Sequence, residues 1–310
     1  MADATAGATA RSLGEDALVA RVLARLSAGP QVLLGPGDDA AVVAAPDGRV
    51  VATTDLAVDG VHFRRDWCSA YDVGRKTAAA NLADVMAMGG TATALLVGLV
   101  APPDLPAVWA DGLADGLRDE AALVGASVVG GDTVRGELLV VSVTALGDLA
   151  GRRPVLRSGA GPGDVVVVSP GLGGSGAGLR ALQDGVRSGP VVERHLCPTP
   201  PYALGPALAE LGATAMCDLS DGLLVDLGRL CAASRVGVEL DAAALPLAPA
   251  ATRDDGLHGG EDHGVLATVP LGLLAQAEEL GLTGVGRVRE GSGVVDLDGR
   301  PFPEGGWRHY

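Results

Sequence analysis

The chain alternates short apolar runs, each about the length of a strand, with longer stretches in which apolar residues recur at helical spacing. Apolar residues at every fourth position over 18–26 predict a short amphipathic helix. Residues 72–88 are rich in Ala and Leu and contain no proline, so they predict a longer helix with Asn81 and Asp84 on one face. Strands at 50–55, 93–100 and 138–147 and a helix at 105–124 complete an alternating pattern for the first half of the chain.

The second half of the chain repeats this style, so we predict a protein of two domains. A segment rich in Gly, Pro and Arg at 151–163 marks the expected junction. Residues 1–12 are small and polar, which predicts a disordered tail, followed by a first domain over 13–150 and a second over 151–310. The elements predicted for the second half are strands near 165–169, 236–240 and 265–269 and helices near 177–184 and 223–233. The fold class is α/β (α+β), with an N-terminal α/β domain packed on a C-terminal one.

Composition adds an aliphatic core and an acidic overall charge to this picture. Of the 310 residues, 48% are hydrophobic but only 3% are aromatic, so Val, Leu and Ala must build the core. The 38 acidic residues outnumber the 23 basic ones and give a net charge of −15, which repels a polyanion and argues against binding to nucleic acid. A phosphorylated substrate would then need localised cations.

The cysteines and the longest apolar runs predict where the protein resides. Cys68, Cys197, Cys217 and Cys231 are scattered without a CxxC pair, and no secretory segment precedes them, so we expect neither a zinc site nor a disulfide framework. The apolar runs are far too short to span a bilayer. We therefore expect a cytoplasmic protein with reduced cysteines and no membrane contact.

Aspartates beside glycines or at strand ends are the main candidates for chemistry. Each one alone is more often a turn or helix-cap residue, because Asp accepts backbone N–H bonds in such places. Several carboxylates from different elements converge only where cations offset their repulsion, and such hard oxygen ligands suit Mg²⁺ shared with the phosphates of a nucleotide. The set comprises Asp38, Asp39, Asp55, Asp84, Asp132, Asp218 and Asp221.

Two of the aspartate motifs have a defined setting in the chain. The sequence GGDT at 130–133 follows a short apolar stretch, so we expect it to expose backbone N–H groups and a carboxylate at the carboxyl end of a strand, or to form an ordinary tight turn. The sequence DLSDG at 218–222 precedes a predicted helix, where Ser220 or Asp221 is a candidate N-cap. A further acid at Asp218 is more than a cap requires.

Patterns that define other enzyme classes are weak in this chain. Residues 171–176 match the dinucleotide-binding pattern GxGxxG, but prolines interrupt 186–204 and leave no clean second strand that ends in a ribose-binding acid. A dehydrogenase is therefore disfavoured, and a close-packed turn between strand and helix is the alternative. The chain has no Walker A sequence of a P-loop kinase, and no GxSxG elbow of a hydrolase accompanies its five histidines.

The ordered series of motifs resembles that of the thiamine-monophosphate kinase family, in the superfamily of aminoimidazole ribonucleotide synthetase. The resemblance extends from about Leu13 to Trp307. It rests on GDDA at 37–40, TTD at 53–55, GVHF at 60–63, NLADVMAMG at 81–89, GGDTVRG at 130–136, RSGA at 157–160, DLSDG at 218–222 and GGED at 259–262. The family implies ATP-dependent phosphorylation of thiamine monophosphate to thiamine diphosphate, and a homodimer built through the N-terminal domain, which would also bind ATP and metal.

By this resemblance the motifs supply ligands for magnesium, ATP and thiamine monophosphate. Magnesium ions would be held by Asp39, Thr53, Thr54, Asp55, Asp84, Asp132, Asp218 and Asp221. ATP would be contacted by Gly131, Asp132, Arg157 and Ser220, and thiamine monophosphate by His62, Glu261 and Trp307. Asp84, Asp132, Arg157 and Asp218 would catalyse a direct in-line phosphoryl transfer. His263 stands where the family leads us to expect tyrosine, a departure that concerns packing or a substrate contact and touches no metal ligand.

Sister enzymes of the superfamily are the nearest rivals, because shared metal and nucleotide motifs do not fix the acceptor. Selenophosphate synthetase would have a reactive cysteine or selenocysteine in an early Gly-rich loop, whereas the first cysteine here is Cys68. The hydrogenase-maturation protein would have a carboxyl-terminal cysteine, whereas this chain ends in Tyr310. A non-catalytic nucleotide-binding regulator is a further alternative, against which the intact aspartates argue.

Overall fold

The structure is a computed structural model that describes residues 8–13, 15–34, 42–303 and 305–306. Asp38, Asp39 and Trp307, three of the residues singled out above, lie outside the described residues. The chain divides into two compact units. Unit 1 comprises the residues up to Val85 together with Ala92–Asp148, and unit 2 comprises Met86–Thr91 and the residues from Leu149 onward. Each unit contains helices and its own sheet, which confirms the predicted α/β class.

The predicted helices and strands of the first half are confirmed to within a few residues. The observed elements are α1 (Ala10–Leu13), α2 (Glu15–Leu23), β1 (Val32–Leu34), β2 (Val42–Val43), β3 (Val51–Val58), α3 (Ala70–Ala87), β4 (Thr91–Ala101), α4 (Ala107–Ala122), β5 (Ser127–Arg135) and β6 (Val140–Asp148). The apolar pattern did not predict helix α1 or the antiparallel pair of β1 and β2.

Unit 1 is built on a four-stranded sheet in the order β3-β6-β4-β5, so β3 and β5 are its edge strands. The strands β3 and β6 pair antiparallel, whereas β4 and β5 pair in parallel. One face is buried and carries alternate residues of β6, such as Val143. The opposite face leaves Leu56, Val134 and Leu96 exposed at 58%, 48% and 37%. This uncovered apolar face is a feature that a partner could bury.

The GGDT sequence lies inside strand β5 and not at the end of a strand, so that prediction was wrong. Strand β5 continues beside β4 as far as Arg135, with Gly131 opposite Val97 and Asp132 opposite Gly98. The two glycines do not stop the strand, because the backbones approach very closely there. A Cβ atom on Gly131 would lie 1.9 Å from the carbonyl oxygen of Val97, so only glycine allows the pairing to continue.

The segment 8–12 is ordered, so the prediction of a disordered tail was wrong for this part of 1–12. The N–H of Ala10 donates to the carbonyl oxygen of Leu105 (2.9 Å), and the N–H of Ala107 donates to that of Ala8 (2.8 Å). These hydrogen bonds join residues almost 100 positions apart, which a local reading of composition does not detect. Residues 1–7 lie outside the described residues.

Unit 2 is built on a six-stranded sheet in the order β12-β9-β11-β7-β10-β8. Its elements are β7 (Val165–Val168), α5 (Gly174–Gln183), α6 (Pro190–Leu196), α7 (Leu204–Leu211), β8 (Ala215–Asp218), α8 (Leu223–Ser234), β9 (Gly237–Leu240), α9 (Arg253–His258), β10 (Val265–Val269), α10 (Leu274–Glu279), β11 (Thr283–Arg289) and β12 (Gly293–Val295). Strands β7, β8 and β10 are buried along their whole length. The strands and helices predicted for this half are confirmed, and the additional elements are helices α6, α7, α9 and α10 and strands β8, β11 and β12.

The neighbours of β7 exclude the dinucleotide-binding interpretation of the glycine-rich loop that follows it. Both β10 and β11 pair with β7 antiparallel, whereas a dinucleotide-binding unit pairs its first strand with a parallel one. The loop is therefore a close-packed turn between a strand and a helix. Across the described part of the chain, no helix combines the length and apolar character needed to cross a membrane.

Candidate active site

The first cluster of predicted site residues lies where edge strand β3 meets helix α3. The Thr53 hydroxyl donates to Oδ2 of Asp84 (2.7 Å), and the N–H of Asp55 donates to Oδ1 of Asn81 (3.1 Å). Asn81 is fully buried, and its Nδ2 donates to the carbonyl oxygen of Thr77 (2.9 Å). Asn81 and Asp84 therefore do share one face of α3, as predicted, and that face fixes the edge strand.

The side chain of Thr54 points away from this cluster. Thr53 and Asp55 are two residues apart in β3 and project to the same face, whereas Thr54 projects to the other. The Thr54 hydroxyl donates to the carbonyl oxygen of Val143 (3.0 Å) and accepts from the Thr144 hydroxyl (3.0 Å). Any contribution of Thr54 to an ion held by Thr53 and Asp55 must therefore come from its backbone carbonyl.

Asp132 is not brought to the cluster within a single chain. It lies on β5, the opposite edge strand of the sheet, and β6 and β4 separate that strand from β3. Three steps between neighbouring strands correspond to ~14 Å. Its Oδ1 accepts the N–H of the adjacent Thr133 (2.8 Å). The expected convergence of aspartates is thus only partial within unit 1.

The donor set at β3 and α3 fits magnesium, although it is incomplete. Among the described residues, no three His, Cys, Asp or Glu side chains lie close enough together to hold a metal ion. The oxygens of Thr53 and Asp84 are nevertheless 2.7 Å apart, close to the ~3 Å that separates neighbouring ligands in an octahedron with bonds of ~2.1 Å. Both are hard oxygen donors, and Mg²⁺ normally completes its shell with water and substrate phosphates.

In unit 2, the DLSDG sequence forms the loop between β8 and α8. The N–H groups of Ser220 and Asp221 both donate to Oδ2 of Asp226 (3.1 and 3.0 Å). The N-cap of α8 is Gly222, which has a φ of 108° and uses no side chain as a cap. Ser220 and Asp221 are therefore not the caps that the sequence alone offered as candidates. Arg229 forms ion pairs with both Asp221 and Asp226.

Asp226 is a site residue that the sequence did not reveal. Burial raises the pKa of its carboxyl to about 6, and the negative charges of Asp218 and Asp221 raise it too, whereas the Asp221 N–H and Arg229 act against them. An acid in the first turn of a helix is usually a surface residue that favours the helix dipole. Only the fold shows that this one faces inward and holds the preceding loop.

Asp218 lies at the end of β8 and is buried against His263. Nδ1 of His263 is 3.3 Å from Oδ2 of Asp218, and His263 itself has a positive φ of 50°. His263 therefore does contact a predicted metal ligand, and the expectation that this departure touches none of them was wrong. Sequence spacing places the two residues 45 positions apart, so the contact could be seen only in the fold.

Arg157 lies on the exposed segment that runs beside β8. The carbonyl oxygen of Leu156 accepts the N–H of Met216 (3.2 Å), and that of Arg157 accepts the Ser234 hydroxyl (2.6 Å). Burial raises the pKa of the Cys217 thiol well above its usual range, and the positive charge of Arg157 acts in the opposite direction. The charge of Arg157 therefore reaches the start of the DLSDG loop.

One residue predicted to contact ATP, Ser220, is in contact with one predicted to contact the acceptor, Glu261. The N–H of Glu261 donates to the carbonyl oxygen of Ser220 (2.8 Å), and Glu261 has a positive φ of 65°. A Cβ atom on the preceding Gly260 would lie 2.6 Å from the same carbonyl oxygen, so glycine is needed for this approach. Oε2 of Glu261 lies 3.7 Å from Nδ1 of His195.

His62 occupies the turn directly after β3 in unit 1. Its Nδ1 accepts the N–H of Val58 (3.2 Å), so the proton of the neutral ring lies on Nε2. That nitrogen is then a hydrogen-bond donor, fixed by the same strand that carries Thr53 and Asp55. Trp307, the third residue predicted to contact the acceptor, lies outside the described residues.

The glycine-rich loop at 171–176 is closed by a carboxylate. Asp262 accepts the N–H of Gly173 at one oxygen (2.6 Å) and that of Ser175 at the other (2.8 Å). Burial raises the pKa of the Asp262 carboxyl to about 6, although both N–H groups act to lower it. A cavity of about 170 Å³ adjoins the loop and is lined in part by Arg194 and Asp262.

Comparisons with known proteins agree with this architecture. Residues 37–149 match the family described as AIR synthase related protein, N-terminal domain, and residues 161–296 match AIR synthase related protein, C-terminal domain. The chain is thus a two-domain protein of the AIR synthase related class. It is 45% identical to a thiamine-monophosphate kinase of Mycobacterium tuberculosis, over 99% of this chain and 95% of that protein. The chain belongs to the thiamine-monophosphate kinase family, which confirms the resemblance carried by its motifs.

Solved structures give the same result at the level of the fold. A thiamine-monophosphate kinase from Stenotrophomonas maltophilia K279a has a TM-score of 0.80 and 35% identity, covering 93% of this chain and 96% of that one. A structure of AaThiL complexed with AMPPCP and TMP also has a TM-score of 0.80, with 33% identity over 88% of this chain and 91% of that one. The predicted two-domain architecture is therefore confirmed.

Proposed function

We propose that this protein transfers the γ-phosphoryl group of ATP directly to the phosphate of thiamine monophosphate, forming thiamine diphosphate and ADP in thiamine diphosphate biosynthesis. Its relatives carry that activity in their names, and AaThiL has been solved with AMPPCP and TMP. The observation that carries the proposal is the hydrogen bond between the Glu261 N–H and the Ser220 carbonyl oxygen. It joins the segment assigned to the acceptor to the loop assigned to ATP.

The proposed reaction needs no general base. A phosphate monoester has a second pKa near 6, so the attacking oxygen of the acceptor is largely anionic at neutral pH. The protein must instead bring two anionic phosphates into line and offset the charge between them. Arg157 supplies a fixed positive charge beside the DLSDG loop, and the Ser220 segment orients the nucleotide. Glu261, His62 and Trp307 are assigned to the acceptor.

The chain's net charge of −15 disfavours the binding of two anionic phosphates, and bound cations would offset that repulsion. We assign magnesium to Asp39, Thr53, Thr54, Asp55, Asp84, Asp132, Asp218 and Asp221, with Thr54 using its carbonyl oxygen. When bound, Mg²⁺ neutralises the phosphates and orients them for in-line attack. Asp84 has the best support, because its carboxylate already shares a hydrogen bond with the Thr53 hydroxyl.

We also propose a cytoplasmic homodimer built through the N-terminal domain (13–150), with the C-terminal domain over 151–310. The uncovered face of the unit 1 sheet supports the dimer, because Leu56, Leu96 and Val134 would be buried by a second copy. The four free cysteines agree with a reducing compartment.

The acceptor can be tested by measuring ADP formation with ATP, Mg²⁺ and one phosphate acceptor at a time. Thiamine monophosphate should support turnover, whereas thiamine, which lacks the acceptor phosphate, should not. Turnover with a different phosphate monoester and none with thiamine monophosphate would assign the chain to a sister activity. Nucleotide binding without ADP formation from any acceptor would indicate a regulator.

A further inference from the structure

We propose that His195 is a positioning residue that holds the Glu261 side chain in its acceptor-binding orientation. The inference rests on the proposed function, because it takes Glu261 as a contact of thiamine monophosphate. His195 lies on α6 and belongs to none of the motifs that the sequence singled out. We call His195 a positioning residue because its proposed effect on the substrate is indirect, through Glu261.

The contact geometry links three residues from three separate segments. Nδ1 of His195 is 2.9 Å from the Ser175 hydroxyl and 3.7 Å from Oε2 of Glu261. Ser175 and His195 are both buried, whereas about a third of the Glu261 side chain remains accessible. The Nδ1 atom thus hydrogen-bonds with the Ser175 hydroxyl, and the Glu261 carboxylate lies beside the same ring nitrogen at a distance too long for a hydrogen bond but short enough for electrostatic attraction.

The position of His195 is fixed by the close packing of α5 against α6. A Cβ atom on Gly178 of α5 would lie 2.7 Å from the Cβ of His195 and 2.5 Å from the carbonyl oxygen of Val191, so only glycine fits there. Ser175 is held in turn, because its N–H donates to Asp262 (2.8 Å). The imidazole is therefore fixed in place by the packing of α5 against α6 and by its contact with Ser175.

The Glu261 side chain has three torsions, whereas its backbone is fixed by the hydrogen bond from its N–H to Ser220. Ordering such a long side chain on binding costs conformational entropy. A buried partner that restrains the carboxylate beforehand lowers that cost. Loss of His195 should therefore weaken acceptor binding while leaving ATP binding and the chemical step in place.

Two substitutions of similar size separate positioning from packing. His195→Leu keeps an apolar body and removes the nitrogen, and we expect a roughly five- to tenfold rise in KM for thiamine monophosphate. KM for ATP and kcat should change by less than about twofold. His195→Asn places an amide nitrogen where Nδ1 lies and should restore most of the acceptor affinity. Val192→Ala, a buried change on the same helix, should lower the Tm without a selective effect on acceptor KM.

A double-mutant cycle with Glu261→Ala decides whether His195 acts through Glu261. In that background His195→Leu should have no further effect on acceptor KM. The inference would be overturned if His195→Leu changed acceptor KM equally with and without Glu261. It would also be overturned if KM rose in parallel for both substrates, or if His195→Asn failed to restore acceptor binding. In each of these cases turnover by the wild-type protein would leave the proposed function intact. A wild-type protein that neither binds nor phosphorylates thiamine monophosphate would overturn both.

Discussion

The backbone N–H of Glu261 donates to the carbonyl oxygen of Ser220 across a distance of 2.8 Å. Ser220 also donates its own N–H to Asp226, so one loop is held from both sides. Glu261 belongs to the segment assigned to the acceptor and Ser220 to the loop assigned to ATP. Because this link is a backbone hydrogen bond, the two segments cannot move far apart without breaking it.

Asp84→Asn should reduce kcat by on the order of 100-fold or more while the protein stays folded, because the amide cannot replace a metal-binding carboxylate. Asp72→Asn is a matched control on the same helix. Asp72 accepts hydrogen bonds from Ser69 at the start of α3, so its loss should cost stability with little change in turnover. Near-normal turnover of Asp84→Asn would assign Asp84 a structural role, as a partner of Thr53 alone.

Trp307→Ala should raise KM for thiamine monophosphate about tenfold, with KM for ATP nearly unchanged. The thiazolium ring of the acceptor carries a permanent positive charge, and stacking of a cation on an indole contributes ~1 to 2 kcal/mol. The chain has only three tryptophans, so few of its residues can offer an indole face to the acceptor. An equal rise in both KM values, or a large fall in Tm without selective loss of the acceptor, would make Trp307 a packing residue.

Leu56→Glu should convert a dimer into a monomer, because it places a charge on the exposed apolar face of the unit 1 sheet. Light scattering after size exclusion should give a mass near the 30.8 kDa of one chain for the variant and twice that for the wild type. Leu271→Glu, at a residue of unit 2 that is 50% exposed, is the control and should leave the mass unchanged. A wild-type protein that is monomeric at micromolar concentration would contradict the proposed homodimer.

Asp262 should make the stability of the protein fall as the pH rises through 6. Burial raises its pKa from the usual 3.8 to about 6, so the folded state holds a proton that the unfolded state has released. The stabilisation is fully present below pH 3.8 and is lost as the pH passes 6, which amounts to ~1.4 kcal/mol between pH 5 and pH 8.

Urea unfolding of the wild type and of Asp262→Asn at both pH values measures this difference. The free energy of unfolding of the wild type, relative to that of the variant, should decrease by about that amount from pH 5 to pH 8. An unchanged difference would show that Asp262 is ionised across the whole range.

The sequence predicted those parts of the fold that depend on local patterns. A composition rich in Ala and Leu without proline located α3, an apolar run located β10, and the three-residue interval of Asn81 and Asp84 placed both on one helix face. Local patterns could not show that the glycines at 130 and 131 lie within a strand. The strand continues through them because another backbone approaches closely at Val97. Residues 8–12 were likewise mispredicted because their partners are distant in the chain.

The motifs named most candidate site residues, but they did not show how those residues are supported. Three residues support the site loops. Asp226 of α8 accepts the N–H of Ser220, His195 of α6 lies beside Glu261, and Asp262 accepts the N–H of Ser175. Their spacing from the residues they hold follows no local period, so only the fold assigns them. The separation of Asp132 from Asp55 was also invisible in the sequence, since it depends on the order of strands in the sheet.

The proposed reaction is direct transfer of a phosphoryl group between two bound phosphates with the help of magnesium. The most direct test supplies ATP labelled in its γ-phosphate, thiamine monophosphate and Mg²⁺, and follows the label. We predict that it appears in thiamine diphosphate in a one-to-one ratio with ADP, that excess chelator abolishes the transfer, and that added Mg²⁺ restores it. Label that accumulates as inorganic phosphate without thiamine diphosphate, or full transfer in excess chelator, would contradict the account.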